Sequence, residues 1–241
     1  MIIEGKNAVF EALNANLTIN KFYAENNLKD NISNKIIKLA KDKGVKINFV
    51  SKETIDNISK TKKHQGFLID TVDFVYSELE DIIECAKQNP KGAFIVILDG
   101  IEDPHNFGAI IRTCECANVD GIIIPFHRAC QVTDTVIRIS SGASLQTKIA
   151  RVTNLNNTIE KLKKENIWVY ALELGGENIY KTNLKGNVAL VVGSEGFGVS
   201  SLVKKNCDGI VTLPMKGKIN SLNASVATGI AVYEILNQRD N

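Results

Sequence analysis

No apolar run in this chain of 241 residues approaches the length needed to cross a bilayer, so neither a membrane span nor a membrane partner is expected. The opening residues, MIIEGKNAVFEALN, carry Glu4 and Glu11 and lack a long apolar core, which argues against a secretory signal. The five cysteines are odd in number and fall in no metal-ligand spacing; Cys114 and Cys116 are two apart on an expected helix, where side chains diverge. They read as reduced and mostly buried thiols of a cytoplasmic protein that holds no metal. The three histidines, His64, His105 and His127, occupy no triad spacing, and no G-x-S-x-G is present to carry a nucleophile on an elbow. Internal repeats and low-complexity segments are absent. Charge of one sign is scarce too: the net value is +2, too small by itself to name a nucleic-acid partner.

What is present is an ordinary globular composition, 44% hydrophobic and 23% charged, in a chain comfortable for two domains. Residues 1–75 hold twelve lysines against nine carboxylates and include the tract KTKK, Lys60 to Lys63, just before His64-Gln65-Gly66. Taken alone, that tract reads as solvated surface. The five arginines, Arg112, Arg128, Arg138, Arg151 and Arg239, all lie later in the chain. Short helical patterns (NAVFEALN, ISNKIIKLAKDKG, KETIDNISK) alternate with extended ones (KFYAE, VKINFV, GFLIDTVDF) over residues 1–75, which predicts a small α/β domain. Residues 76–91, YSELEDIIECAKQNPK, are acidic and end in Asn-Pro, as a helical or irregular linker would. From residue 92 to 241 the strand-like runs AFIVILD, GIIIPF, WVYALEL, VALVV and GIVTLP alternate with helices, and a last helix is expected from about Ala224 to Arg239. Near-continuous apolar strands of this kind predict a parallel sheet covered by helices on both faces.

Ligands of such sheets bind beyond the carboxyl ends of the strands. Three loops rich in Gly, Asn and Ser sit there: GIEDPHNFGAIIRT, GSEGFG and MKGKINSLNAS. The middle loop, within VVGSEGFGVSS, imitates two nucleotide motifs and completes neither. Read from Gly193, the phosphate-cradling G-x-x-x-x-G-K-[ST] fails at Val199; read from Gly196, the dinucleotide fingerprint fails at Ser201. Its glycines allow close backbone approach to a ligand or simply a tight turn. Glu195 would repel a triphosphate, so the loop faces something neutral or cationic. In the first loop Phe107, Ile110, Ile111 and Cys114 share the core side of a helix, with Arg112 about 150° away from it. Asn106 reads first as that helix's N-cap, and Ser221 and Asn223 as caps of the last helix. The last helix is rich in small residues and holds Gly229 in its interior, a costly choice. Another segment of the chain or another subunit should therefore pack closely against it.

NFGAIIRT with Asn106 and Arg112, VVGSEGFG with Glu195, and LPMKGKINSLNAS with Ser221 and Asn223 resemble, in order over about 120 residues, the three motifs of the SpoU (TrmH-type) family. These are S-adenosylmethionine-dependent RNA ribose 2′-O-methyltransferases. The resemblance covers residues 92–241 as catalytic domain. Residues 1–75, ending near HQGF, resemble the ribosomal-protein-like RNA-binding domain of the branch that methylates a guanosine ribose in large-subunit (23S) ribosomal RNA. The resemblance implies a carboxyl-terminal trefoil knot, an exception to the usual un-knotted topology, and a homodimer packed partly through the last helix. It implies that Gly193, Leu213 and Leu222, with Gly198 and Met215, contact the cofactor. It assigns Arg112 to the reacting centre, with Asn106, Glu195, Ser221 and Asn223 orienting Arg112, the ribose and the cofactor. Arginine stays protonated, so a cation that anchors phosphate and stabilises a developing alkoxide suits Arg112 better than a general base. A transfer-RNA substrate, a different ribosomal site and a non-catalytic RNA-binding assembly factor are the competing readings. A dehydrogenase is disfavoured by the fingerprint's failure.

Overall fold

Alternating short strands and amphipathic helices open the chain. In order they are β1 (Ile2–Glu4), α1 (Lys6–Asn14), β2 (Ile19–Glu25), α2 (Asn31–Asp42), β3 (Ile47–Val50), α3 (Lys52–Ile58) and β4 (Phe67–Thr71). The computed structural model describes residues 1–15, 17–218 and 221–241. These first strands make a mixed sheet in the order β1-β4-β2-β3, in which only β2 and β3 run parallel. Its core is Phe22, Ile36, Ile55, Phe67 and Leu68, all fully buried. The HQG turn has an internal cause. His64 is buried, accepts from Gly66 N on Nδ1 at 3.0 Å and faces Asp56 on Nε2 at 3.1 Å. With Nδ1 accepting, the ring proton sits on Nε2, and the turn is pinned from both sides.

The second sheet follows with α4 (Leu79–Gln88), β5 (Phe94–Asp99), α5 (Pro104–Cys116) and β6 (Gly121–Pro125). Next come α6 (Asp134–Ile139), β7 (Ile149–Val152), α7 (Leu155–Lys164), β8 (Trp168–Asn178), β9 (Val188–Gly193), α8 (Ser201–Asn206), β10 (Gly209–Thr212) and α9 (Ala224–Asp240). Six strands pair in the order β10-β8-β9-β5-β6-β7, every pairing parallel. Alternation along β5 divides the core: Ile95 and Ile97 point to the side packed by α4, α7 and α8. The α5 side chains Phe107, Ile110, Ile111 and Cys114 and the α9 side chains Ala231, Val232 and Ile235 bury the opposite side. Helices on both faces of a parallel sheet are what the continuous apolar strands predict. Among the described residues no helix is long and apolar enough to cross a membrane.

Three expectations are corrected. Residues 131–146, read as part of the second domain, group by their contacts with residues 1–75, carrying α6 with them. Residues 76–91 are not a linker: α4 buries Ile82, Ile83 and Ala86 in the second unit's core, and its acidity is that of a helix start, with Asp81 Oδ2 accepting from Glu78 N at 3.1 Å. The cysteines are not mostly buried; Cys114 alone is buried, Cys116 is exposed, and Cys85, Cys130 and Cys207 are intermediate. Strands β1 and β7 escaped the sequence reading because IIE and IARV are too short to show a period.

Candidate active site

The loop after β9 is closed by its own backbone. A Cβ on Gly193 would lie 2.0 Å from the carbonyl carbon of Gly198, and one on Gly198, at φ 64°, would lie 2.2 Å from Glu173 Oε2. Both positions therefore require glycine for the loop to shut, before any ligand is considered. The amides that close it are engaged. Gly198 N donates to Ser194 O at 2.9 Å, Val199 N to Glu173 Oε2 at 2.9 Å, and Ser200 N to Asp99 Oδ2 at 2.8 Å. A phosphate cradle needs free N–H groups pointing at the ligand; here a carbonyl and two carboxylates hold them. The loop resembles a nucleotide motif in its glycines and differs in where its donors point.

Glu195, at the exposed tip, draws the other two loops to this one. Its Oε1 accepts from Asn106 Nδ2 at 3.0 Å, from Ala224 N at 3.2 Å and from Asn223 Nδ2. Asn223 Nδ2 also donates to Asn106 Oδ1 at 2.8 Å. Asn223 is the N-cap of α9, its Oδ1 accepting from Ser225 N and Val226 N. Asn106 is not a cap. Asp103 caps α5, accepting from Asn106 N at 2.8 Å with Pro104 at the first helical position, and this frees the Asn106 amide to reach across. That cap was legible in the Asp-Pro pair of EDPHN. Bonds from neutral amides to an ionised carboxylate are charge-assisted, which suits Glu195 to the centre of the cluster.

Two cavities flank this loop. Because β9 lies between β8 and β5 in the sheet, its loop divides the carboxyl edge. On the β8–β10 side a cavity of about 290 Å³ is lined by Gly193, Gly198, Leu213, Met215 and Leu222, together with Ser221 and Glu195. All five residues expected to meet a cofactor thus share one cavity, whose volume is near the lower end for small-molecule sites. On the β5–β6–β7 side a larger cavity of about 840 Å³ includes Asn106, Glu195, Phe197, Glu102 and Arg128 in its wall. Ser221 is exposed and makes no hydrogen bond among the described residues; Ile219 and Asn220 of the third motif lie outside them.

Arg112 is not brought to this cluster. It is exposed on α5, lines neither cavity, and has no hydrogen bond or ion pair among the described residues. Among the described residues nothing stands close enough to Gly229 to exclude a side chain: a Cβ there would meet Thr113 Cγ2 at 3.8 Å, an ordinary contact. Helix α5 packs against α9, as the small residues led one to expect, but at ordinary contact distance at Gly229. Glu173, Asp99 and Phe197 were missed by the sequence reading. Asp99 ends β5 and Glu173 lies within β8 just past its last pairing with β9, and nothing in their neighbours signals which backbone amides they hold.

The chain thus comprises a small mixed α/β unit and a parallel α/β unit with two cavities at the carboxyl edge of its sheet. The chain belongs to the SpoU rRNA Methylase family, RNA 2′-O-ribose methyltransferases: that family's model matches residues 93–233, and the model for RNA 2′-O ribose methyltransferase substrate binding matches residues 2–74. It is 40% identical over 238 residues to YacO of Bacillus subtilis (strain 168), placed by its name in the TrmH family of tRNA/rRNA methyltransferases, covering 98% of this chain and 95% of that protein. A Staphylococcus saprophyticus protein named for the same family is 39% identical over 241 residues, covering 100% of this chain and 96% of its own. Among solved structures, the SpoU methyltransferase AviRb from Streptomyces viridochromogenes, in complex with AdoMet, shares the fold at a TM-score of 0.82 with 19% identity, over 100% of this chain and 90% of its own. The AdoMet-bound rRNA methyltransferase from Sinorhizobium meliloti superposes at a TM-score of 0.78 with 25% identity, over 97% of this chain and 85% of its own.

Proposed function

We propose that this protein, as a homodimer, methylates the 2′-hydroxyl of a guanosine ribose in large-subunit ribosomal RNA with S-adenosylmethionine as donor. The observation that carries the reading is the Glu195 cluster: one carboxylate oxygen gathers Asn106 and Asn223, from loops 89 and 28 residues away, beside a cavity walled by Gly193, Gly198, Leu213, Met215 and Leu222.

The smaller cavity fits the cofactor by its chemistry. Leu172, Leu213, Met215 and Leu222 give it apolar wall, Glu195 gives it negative charge, and the Val199 and Ser200 amides are held by Glu173 and Asp99 rather than aimed at a phosphate. Bound there, S-adenosylmethionine supplies an electrophilic methyl group on a positive sulfonium. The chain's own residues do the rest by position. Glu195 Oε1 is occupied by three donors, while Oε2 has no hydrogen bond among the described residues and is left to accept from a ribose hydroxyl. One N–H of Asn106 is also unspent, since its Oδ1 accepts from Asn223 and one hydrogen goes to Glu195.

Arg112 supplies the cation. Exposed and outside both cavities, it serves a partner's site rather than its own, where a guanidinium anchors phosphate and stabilises the developing alkoxide. The dimer forms over α9, which exposes Val226, Ile230 and Tyr233 in one stripe at helical spacing. Residues 1–75, of which the substrate-binding model matches 2–74, hold the RNA.

The test uses methyl-labelled S-adenosylmethionine and ribosomal RNA from cells lacking this protein, followed by alkaline hydrolysis. Alkali cleaves RNA through a free 2′-oxygen, so label at one protected guanosine of the large-subunit RNA is expected. Label in alkali-cleavable positions would mean base methylation and sink the mechanism. Label found only in transfer RNA would move the substrate.

A further inference from the structure

We propose that the larger cavity, on the β5–β6–β7 side of the Glu195 loop, is the subsite for the target nucleotide of the RNA, with the base stacked on Phe197 and a backbone phosphate held by Arg128. The proposal rests on the methyltransferase reading and adds to it where the substrate sits and which residues recognise it.

Phe197 is the first reason. It is 96% exposed, the most solvent-accessible large apolar side chain among the described residues. It is not on a loose segment. The Ser194–Gly198 bridge closes the loop beneath it, and Phe197 N reaches Ser194 Oγ at 3.4 Å. A rigid loop that presents a bare aromatic ring leaves apolar area in water unless something covers it. The ring lines both cavities, so its occupant belongs to the site. Every nucleobase has a π-face that stacks on such a ring, and single-stranded RNA is recognised in this way.

The second reason is which charges are free. Two of the cavity's carboxylates are already spent inside the chain: Asp99 accepts from Ser200 N and Asp103 from Asn106 N, both at 2.8 Å. Glu102 and Arg128 are exposed, line the cavity, and have no partner among the described residues. Arg128 is held at φ 55°, an uncommon conformation for a residue other than glycine, in the turn after β6. A free guanidinium suits a phosphate, and a free carboxylate suits the N–H donors on a base edge.

The third reason is continuity. Asn106 and Glu195 belong to this cavity's wall, and Glu195 belongs also to the cofactor cavity. A nucleotide seated here has its ribose beside the one cluster common to both spaces. At about 840 Å³ the cavity also has room for a nucleotide turned out of its strand.

The experiment compares Phe197→Ala, Phe197→Trp and Arg128→Ala with the unaltered full-length protein. The substrate is unmodified ribosomal RNA from cells lacking the protein. Phe197→Ala should raise the KM for RNA about 5- to 150-fold, the range that base–aromatic stacking carries, with Phe197→Trp restoring it. Arg128→Ala should raise the KM and reduce its salt dependence by about one phosphate's worth. Arg128→Ala, at a residue that lines the larger cavity and not the smaller, should leave the Kd for S-adenosylmethionine within about twofold, and Phe197→Ala should change that Kd much less than it changes the RNA KM. A second readout does not need turnover. In a Trp168→Phe background saturated with S-adenosylhomocysteine, the indole fluorescence of Phe197→Trp should be quenched by the RNA. If the unaltered protein transfers no methyl group, the methyltransferase reading fails on its own, and quenching still decides the subsite. An unchanged RNA KM without quenching overturns the proposal. A cofactor Kd that rises in step with the RNA KM assigns Phe197 to the other cavity and overturns it too. So does a loss of dimerisation in Phe197→Ala with RNA KM unchanged, which would make a second subunit the cover for the ring.

Discussion

The side-chain amide of Asn106 donates to Glu195 Oε1 at 3.0 Å, joining the helix after β5 to the loop after β9 across 89 residues of sequence. Asn223 and the Ala224 amide meet the same oxygen. This one acceptor sets the relative position of all three polar loops, so its removal tests whether the site is assembled by it. Glu195→Ala should leave three donors facing an empty tip and lower kcat by at least about 100-fold, as losses of preorganised charge do. Glu195→Gln keeps an oxygen for the donors and loses the charge. It should bind S-adenosylmethionine within a few-fold of the unaltered protein while still losing kcat. Equal loss of cofactor affinity and kcat in Glu195→Gln would reduce Glu195 to a structural tie.

Arg112 stands outside this cluster, and that separation can be tested by mixing. Arg112→Ala should abolish methyl transfer while leaving cofactor affinity nearly unchanged. Gly193→Val should abolish both, since a Cβ at that position would already strike the Gly198 backbone. If Arg112 serves the partner's site, heterodimers of the two inactive variants contain one site with an intact cavity and an intact arginine. Co-folded mixtures should then recover up to about a quarter of the unaltered activity, half the dimers being mixed and each having one good site. Mixtures that stay inactive would place Arg112 in its own subunit's site.

The parallel sheet could be read from sequence because near-continuous apolar strands are a local signal, whereas the five residues of the smaller cavity were expected from the family resemblance alone. The partners of the site residues could be read from neither. Asn106 looked like a cap because an Asn before a helix usually is one. Its amide was freed by Asp103, three residues upstream, and its acceptor lies on another loop. The glycines of GSEGFG left ligand approach and a tight turn both open, and Gly193 and Gly198 are needed to shut the loop on itself. Residues 131–146 carried no composition shift to mark their return to the first unit, since that grouping is made by contacts alone.

Helix α9 has two apolar faces, and only one of them is covered among the described residues. Thr228, Ala231, Val232 and Ile235 are buried, while Val226, Ile230 and Tyr233 are 50%, 38% and 49% exposed. A charge placed in the exposed stripe would be desolvated by a partner helix and tolerated by water. Ile230→Asp should therefore give a folded monomer by sedimentation, with far-UV circular dichroism unchanged and methyl transfer lost. Gly229→Ala fits within the chain and should raise helix stability by up to about 1 kcal/mol, but it should weaken the dimer if a second backbone approaches there. A dimer that survives Ile230→Asp would move the interface elsewhere.

The thiols differ in reactivity by burial. Desolvation, with help from Asp103 and Asp208 respectively, pushes Cys130 and Cys207 up to about 11, and complete burial raises Cys114 further. The thiolate is the reactive form, and it appears as pH rises toward the pKa. At pH 8 only about one in a thousand of the Cys130 and Cys207 side chains would be ionised, so iodoacetamide should label exposed Cys116 ahead of them. Raising the pH from 8 to 10 should speed labelling at Cys130 and Cys207 about a hundredfold while Cys114 stays protected until the chain unfolds. Peptide mapping after timed labelling reads all four sites, and early labelling of Cys114 would show the α5 core to be open.

Arg239 fastens the end of α9 to the start of the sheet. Its guanidinium donates to the carbonyls of Gly92, Ala93 and Gly186 and stacks on Phe94 at 5.1 Å from the ring centroid. Burial lowers its pKa from the ordinary value, as expected for a charge partly removed from water and repaid by backbone acceptors. Arg239→Ala would leave the Gly92 and Gly186 carbonyls short of a donor and remove the stacked plane, at a cost of about 2–4 kcal/mol. For a chain of this size that is a fall in Tm of about 5–15 °C. Arg239→Lys should recover only part of it, because a single ammonium cannot span three carbonyls that a planar fork reaches together. Both are measured by thermal unfolding with cofactor absent, so that ligand linkage does not mask the difference. A Tm unchanged in Arg239→Ala would mean that the apolar face of α9 alone holds the helix, and that the carbonyls of Gly92 and Gly186 are satisfied by water.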